Sequence, residues 1–269
     1  MERQDVCILL NSTPKYFYLL PLQLTLLKRY ASQLKWPIYL ATESLNNPLV
    51  AKVIVEFGVK IISLSSSEEP FLESRQAAIR KLPSSILYVL PLQEDFLLDR
   101  VPNYSALGEA LRILDTDRMV SSLRLMPCPG PQNSDLQYSK DKPWKILGEK
   151  NEYVFTFQAT LWRRMDIQMY YDELLRQITK TFGTVSNEER KQIQLVQNVA
   201  ENSFGQKVLQ KALPNVYHLA WPRVGPWPNA VYLCPWPYRP TAVTRGVLEP
   251  FAKELFEREG IKFETSSSG

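Results

Sequence analysis

At 269 residues, with 45% hydrophobic and 22% charged residues, the chain can bury a full core and is not globally disordered. A formal charge of +4, with its 32 lysines and arginines spread along the chain, argues against nucleic-acid binding. Cys7, Cys128 and Cys234 are odd in number, far apart and without metal-ligand spacing, which fits a reducing compartment and excludes a disulfide framework.

Chain order begins with alternation. Short β-rich runs at Val6–Leu10, Pro37–Ala41, Val59–Leu64 and Ile86–Leu90 are separated by helix-period segments at Phe17–Leu34, Pro48–Phe57 and Glu69–Leu82. Proline is tolerated in a helix's first turn, so Pro21 marks the expected start of the first helix. Strands separated by helices predict βαβ units and a mostly parallel sheet. After Asp95 the rhythm changes: a helix at Tyr104–Leu114, a strand at Met119–Leu125, a loop over 127–151 and a strand at Tyr153–Gln158. Helices at Met165–Phe182 and Glu188–Ala200, an extended Trp- and Pro-rich wrap over 221–240 and an amphipathic helix at Val247–Arg258 complete the pattern. The last helix is expected to bury Val247, Leu248, Phe251, Leu255 and Phe256 on one face, and the terminal TSSSG reads as a flexible tail. No apolar run approaches the roughly 18 residues of a membrane span, so no transmembrane segment is expected and the reading is soluble and cytoplasmic.

The most informative stretch is ILYVLPLQEDFLLDR, 86–100, where a buried-strand pattern stops at the adjacent carboxylates Glu94 and Asp95 and apolar residues resume at once. Unpartnered buried carboxylates are costly, and ligands bind at the C-terminal ends of strands in open α/β sheets. Acidic oxygens there suit a hard divalent cation holding phosphates; a plain acidic loop after a core strand is the other reading. Asp115-Thr116-Asp117 matches Asp-x-Asp literally, yet it follows a helix and reads as a helix-terminating turn.

The strand and turn LPSSILYVLPLQEDFLLDR resembles the metal-binding segment of GT-A glycosyltransferases, usually written Asp-x-Asp and here Gln93-Glu94-Asp95. FTFQATLWRR (155–164), QNVAENSFGQ (197–206) and NVYHLAWPR (215–223) also resemble small bacterial and viral enzymes of this type, so the likeness covers about 5–223. It implies a GT-A-like three-layer α/β/α sandwich with a mostly parallel central sheet and a mixed C-terminal half. One domain is expected, with a nucleotide-sugar half over about 1–100, an acceptor half over about 101–245 and a closing helix over 246–260. The implied activity moves a hexosyl or deoxyhexosyl group from a UDP- or GDP-type nucleotide sugar to a hydroxyl of a glycan or other acceptor.

A divalent metal, Mn2+ or Mg2+, would stabilise charge on the leaving diphosphate. Asp95 is the first choice for a direct ligand, with Glu94 acting through water or on the donor sugar. His218, the only histidine, is the second expected ligand, although a core histidine with one hydrogen bond is an equal reading. Glu201 is the expected general base toward the acceptor hydroxyl, with Asp172 and Glu173 as competitors and a solvated helix-end role as the bland alternative. Donor contacts are expected from Asn11, Ser12 and Thr13 after the first strand, Thr42 and Glu43 after the second, Ser74, Arg75 and Gln93; helix capping explains Ser12 or Thr13 as easily. Trp221, Trp227 and Trp236 either stack on an acceptor sugar or wrap the core. Two further functions remain open. A nucleotidyltransferase acting on sugar phosphates is disfavoured by the glycine-free LLNSTPKYF, and an inert glycan- or nucleotide-binding module would use the aromatic C-terminal segment.

Overall fold

The computed structural model describes residues 1–64, 71–128, 136–148, 153–183 and 198–262. Its centre is an eight-stranded sheet in the order β3-β2-β1-β4-β7-β5-β8-β6. The strands are β1 (Val6–Asn11), β2 (Ile38–Thr42), β3 (Lys60–Ser63), β4 (Tyr88–Gln93), β5 (Val120–Arg124), β6 (Lys145–Leu147), β7 (Thr160–Arg163) and β8 (Tyr217–Ala220). The β1–β2, β2–β3, β1–β4 and β5–β8 pairs are parallel, and β6 and β7 run against their neighbours. The expected α/β class with a mostly parallel sheet is what the chain forms.

The sheet is covered on both faces because its strands alternate. Val6, Ile8 and Leu10 of β1 join the core formed with α1 (Leu20–Tyr30), α2 (Pro48–Phe57) and α4 (Tyr104–Thr116). Cys7 and Leu9 join the core on the other face, beneath α3 (Phe71–Arg80), α5 (Arg164–Phe182) and α6 (Ser203–Ala212). Strands buried on both faces read as continuous apolar runs, which is why VCILL announces itself. Local signals set the helix ends: Asn47 caps α2 by accepting from Leu49 N–H at 2.9 Å, and Gly58 at φ 65° ends it in the left-handed region.

Four expectations shift. The strand expected at Tyr153–Gln158 is instead Thr160–Arg163. Tyr153 has φ 58°, and the N–H groups of Phe157 and Gln158 go to the side chains of Glu201 and Thr156, so that stretch spends its backbone outside the ladder. Strands β6, inside the expected loop, and β8, too short to show a period, were not foreseen. The helix expected from Val247 begins at Pro250, since proline belongs in a first turn; Val247–Leu248 pairs antiparallel with Val243–Thr244, and Val247 is exposed. Pro21 does lie in the first turn of α1, after a 3-10 helix at Pro14–Leu19. The helix expected at Glu188–Ala200 falls mostly outside the described residues, as do parts of the 127–151 loop and the TSSSG tail. Among the described residues no helix is long and apolar enough to cross a membrane.

Candidate functional site

From β1 the chain steps outward to β2 and β3, then returns to place β4 on the other side of β1. That reversal is a topological switch point, and its crevice opens at the carboxyl ends of β1 and β4. Asn11 and Gln93 end those strands directly opposite one another. By alternation they point to the face that carries Cys7, Leu9 and Val89. There a cleft, open to solvent, is lined by Asn11, Arg75, Gln93, Thr156, Gln158 and Tyr171 among others.

The carboxyl end of β1 holds unusual polar atoms. Asn11 and Ser12 are each only 3% exposed, yet Asn11 Oδ1 and Ser12 Oγ have no hydrogen-bond partner among the described residues. Buried polar groups are normally paired, and of these two residues Asn11 lines the cleft. The other expected donor contacts are partly occupied. Thr42 Oγ1 accepts from Ser44 N–H at 3.3 Å, Ser74 Oγ donates to Phe71 O at 2.8 Å, and Thr13 is exposed at the start of the 3-10 helix. Arg75 rests over the Phe71 ring at 4.2 Å and makes no ion pair among the described residues. Its charge faces Glu94 and Glu43 electrostatically, while burial lowers its pKa.

Glu94 and Asp95 form the turn that leaves β4. Glu94 is 8% exposed, and burial, against its own backbone N–H and with the nearby Asp95 charge, pushes its carboxyl up to about 8. Burial raises Asp95 too, while a hydrogen bond from Thr241 works in the opposite direction. Gln23, fully buried in α1, braces the turn by donating to Gln93 O at 2.6 Å.

His218 does not join Asp95. The register runs from His218 to Ser122, Trp162 and Val89, and Val89 lies six residues before Asp95. The separation is roughly 20 Å along the strands and about 14 Å across three strand spacings. The ring is 6% exposed, with Nδ1 2.9 Å from Ser122 Oγ and the Trp162 ring 5.5 Å away, and burial lowers its pKa to about 4. It is the core histidine of the plainer reading. No group of three or more histidine, cysteine, aspartate or glutamate side chains gathers as a metal donor set among the described residues. The expected Asp95–His218 metal pair therefore does not fit this chain.

Glu201 lies behind the cleft wall. Its Oε1 accepts from Thr156 Oγ1 at 2.8 Å and from Phe157 N–H at 2.9 Å, and both of those residues line the cleft. Asn202 then caps α6 by accepting from Phe204 N–H at 2.9 Å, and a Cβ on Gly205 would meet the Ala200 carbonyl oxygen at 1.9 Å. The NVAENSFG motif is thus a tight corner that holds Glu201 against the wall. The competing acids are otherwise engaged: Asp172 with Gln76 and Arg80, Glu173 with Arg176, Gln177 and Lys211.

Asp115-Thr116-Asp117 ends α4 as expected, with Asp115 paired to Arg3 at 2.7 Å and Asp117 accepting from Tyr138 at 2.8 Å. Trp236 is buried, Trp221 packs edge-on to Trp144 at 5.2 Å between ring centres, and Trp227 is 44% exposed. The residues missed from sequence are Gln23, Gln158, Tyr238 and Thr241. Gln158 and Tyr238 lay in segments already singled out, and Gln23, Tyr238 and Thr241 act on Gln93, Gln158 and Asp95 through tertiary contacts that carry no local pattern.

No protein-family model and no curated protein matches the sequence. Among solved structures the chain is similar to the apo form of the glycosyltransferase GlyE of Streptococcus pneumoniae TIGR4, with 14% identity and a TM-score of 0.44, over 99% of this chain and 66% of that one. It is also similar to TarS 1-349 of S. aureus, with 11% identity and a TM-score of 0.43, over 85% of this chain and 62% of that one. A third likeness is to a 4-diphosphocytidyl-2C-methyl-D-erythritol synthase from Anaerococcus prevotii DSM 20548, with 10% identity and a TM-score of 0.41, over 70% of this chain and 82% of that one. The chain thus spans just under two thirds of TarS 1-349.

Proposed function

We propose that the chain is a glycosyltransferase that moves a sugar from a UDP- or GDP-type nucleotide sugar to an acceptor hydroxyl. The observation that carries the reading is the crevice at the β1–β4 switch point, where one cleft is lined by the buried Asn11, whose Oδ1 has no partner among the described residues, and by Arg75, which makes no ion pair among them. A nucleoside supplies an N–H or O–H donor for the orphaned Asn11 oxygen. A diphosphate supplies the anion that a planar guanidinium binds through two parallel hydrogen bonds.

In the transfer the acceptor hydroxyl oxygen bonds to the anomeric carbon and gives up its proton to a carboxylate, while the bond from that carbon to the diphosphate oxygen breaks and its electron pair leaves with the diphosphate. Arg75 would stabilise that charge where it develops. Glu94, which burial pushes up to about 8, adds little negative charge beside the anion at neutral pH. Asp95, in the same turn and hydrogen-bonded by Thr241, is the carboxylate assigned to take the acceptor proton. Glu201 serves as a positioning residue for the wall that carries Thr156, Phe157 and Gln158.

The test is product analysis with UDP-glucose, UDP-N-acetylglucosamine and GDP-mannose. Release of nucleoside diphosphate, abolished in Arg75→Met, is the expected result. Release of pyrophosphate from a nucleoside triphosphate and a sugar phosphate, with no reaction of the nucleotide sugars, would instead make the protein a nucleotidyltransferase.

A further inference from the structure

Resting on the glycosyltransferase reading, we propose that Gln158 recognises a hydroxyl of the donor sugar, and that Tyr238 of the Trp- and Pro-rich wrap is the positioning residue that aims it. The Tyr238 hydroxyl lies between two partners, Ala159 N–H at 2.9 Å and Gln158 Oε1 at 2.6 Å. A backbone N–H only donates, so the hydroxyl oxygen accepts there and its single proton goes to Gln158. The amide must therefore turn its oxygen to Tyr238 and its NH2 away. A flipped amide would leave the hydroxyl proton without its acceptor in a fully buried place.

Tyr238 is well fixed for this work. It is fully buried, its ring stacks on Phe96 with centroids 4.8 Å apart, and Leu98 bridges to it across an antiparallel contact. Burial holds its hydroxyl well above the ordinary tyrosine range, so the proton stays on oxygen. The backbone of Gln158 is equally committed: its N–H donates to Thr156 Oγ1 at 3.3 Å and its carbonyl accepts from Thr160 Oγ1 at 2.9 Å. Nε2 has no hydrogen-bond partner among the described residues, and Gln158 lines the same cleft as Asn11, Arg75 and Gln93. Two neutral N–H donors suit the neutral oxygen of a sugar hydroxyl, whereas the diphosphate charge calls for Arg75. The wrap, which looks in sequence like packing, becomes part of the specificity apparatus.

The experiment is titration calorimetry of the whole protein with UDP-glucose, UDP, GDP-mannose and GDP. The wild type is compared with Gln158→Met, Tyr238→Phe and the double variant. Gln158→Met should weaken the nucleotide sugar that binds by about 3- to 10-fold, the worth of one lost hydrogen bond, and leave the matching diphosphate unchanged. Tyr238→Phe should reproduce that sugar-selective loss, and the double variant should lose no more than either alone. A merely structural tyrosine would weaken both ligands alike. Unchanged sugar-nucleotide affinity in Gln158→Met, or equal loss for sugar nucleotide and diphosphate, overturns the inference while leaving the glycosyltransferase reading in place. If Tyr238→Phe fails to fold, the Gln158→Met result decides. A wild type that binds none of the four overturns the glycosyltransferase reading, and this inference with it.

Discussion

Two acidic turns in this molecule look alike in sequence and are opposite in physics. Asp115-Thr116-Asp117 carries the literal Asp-x-Asp spacing, yet it closes a surface helix, and Arg3 holds the Asp115 carboxyl below its ordinary value. Gln93-Glu94-Asp95 departs from that spacing, yet it leaves a central strand beside the crevice, and desolvation raises both carboxyls. What separates them is the element that delivers each turn. The strand end in the covered sheet leaves its carboxylates desolvated, whereas the helix end on the surface has solvent and an arginine.

The contrast is sharpest in turnover. Asp95→Asn should lower sugar transfer by roughly 10²–10⁴-fold, the usual worth of a carboxylate acting at the reacting atoms. Asp115→Asn and Asp117→Asn should leave it unchanged in the same assay. Equal losses from both turns would erase the distinction.

Glu201 gives the next largest effect. Glu201→Ala removes the acceptor of two hydrogen bonds behind the cleft wall and should lower kcat/KM by about tenfold. Glu201→Gln keeps a carbonyl acceptor in the same place and should stay close to the wild type. A loss of about 10²–10⁴-fold in the glutamine variant would make this residue the general base instead.

Stability should also respond to pH with opposite signs at the two turns. Glu94 keeps its proton in the folded state up to about pH 8, whereas the unfolded chain releases it near the ordinary glutamate value of 4.5. The folded state binds the extra proton, so stability falls as pH rises between those values. Glu94→Gln removes that slope and should stabilise the protein at pH 8 by roughly 3–5 kcal/mol in chemical denaturation. Asp115 has a lowered pKa, so its contribution is present above the unfolded value and is lost as pH falls. Its pair with Arg3 is 39% exposed on the aspartate side, and Asp115→Asn should cost about 1 kcal/mol or less at neutral pH.

The legible parts of the sequence were those where local pattern and tertiary role agree. VCILL, IYLAT and YVLPLQ read as strands because both faces of the sheet are covered, and the place of Gln93-Glu94-Asp95 at a strand's carboxyl end followed from the βαβ rhythm. Thr160–Arg163 was obscured by the more strand-like YVFTFQ just before it, whose amides are spent on side chains. His218 misled because order along the chain suggested proximity to Asp95, and only the strand register shows that β7 and β5 lie between β4 and β8. The roles of Gln23, Gln158 and Tyr238 depend on partners some 70 to 80 positions away, beyond the reach of any local motif.

The central claim is that the β1–β4 crevice binds a nucleoside diphosphate through Arg75. Thermal denaturation of the wild type and of Arg75→Met, with UDP and GDP each at a hundredfold excess over its dissociation constant, tests it most directly. One of the two nucleotides should stabilise the wild type by about 2.7 kcal/mol and leave Arg75→Met unchanged. Equal stabilisation of both proteins, or none of the wild type by either nucleotide, would contradict it.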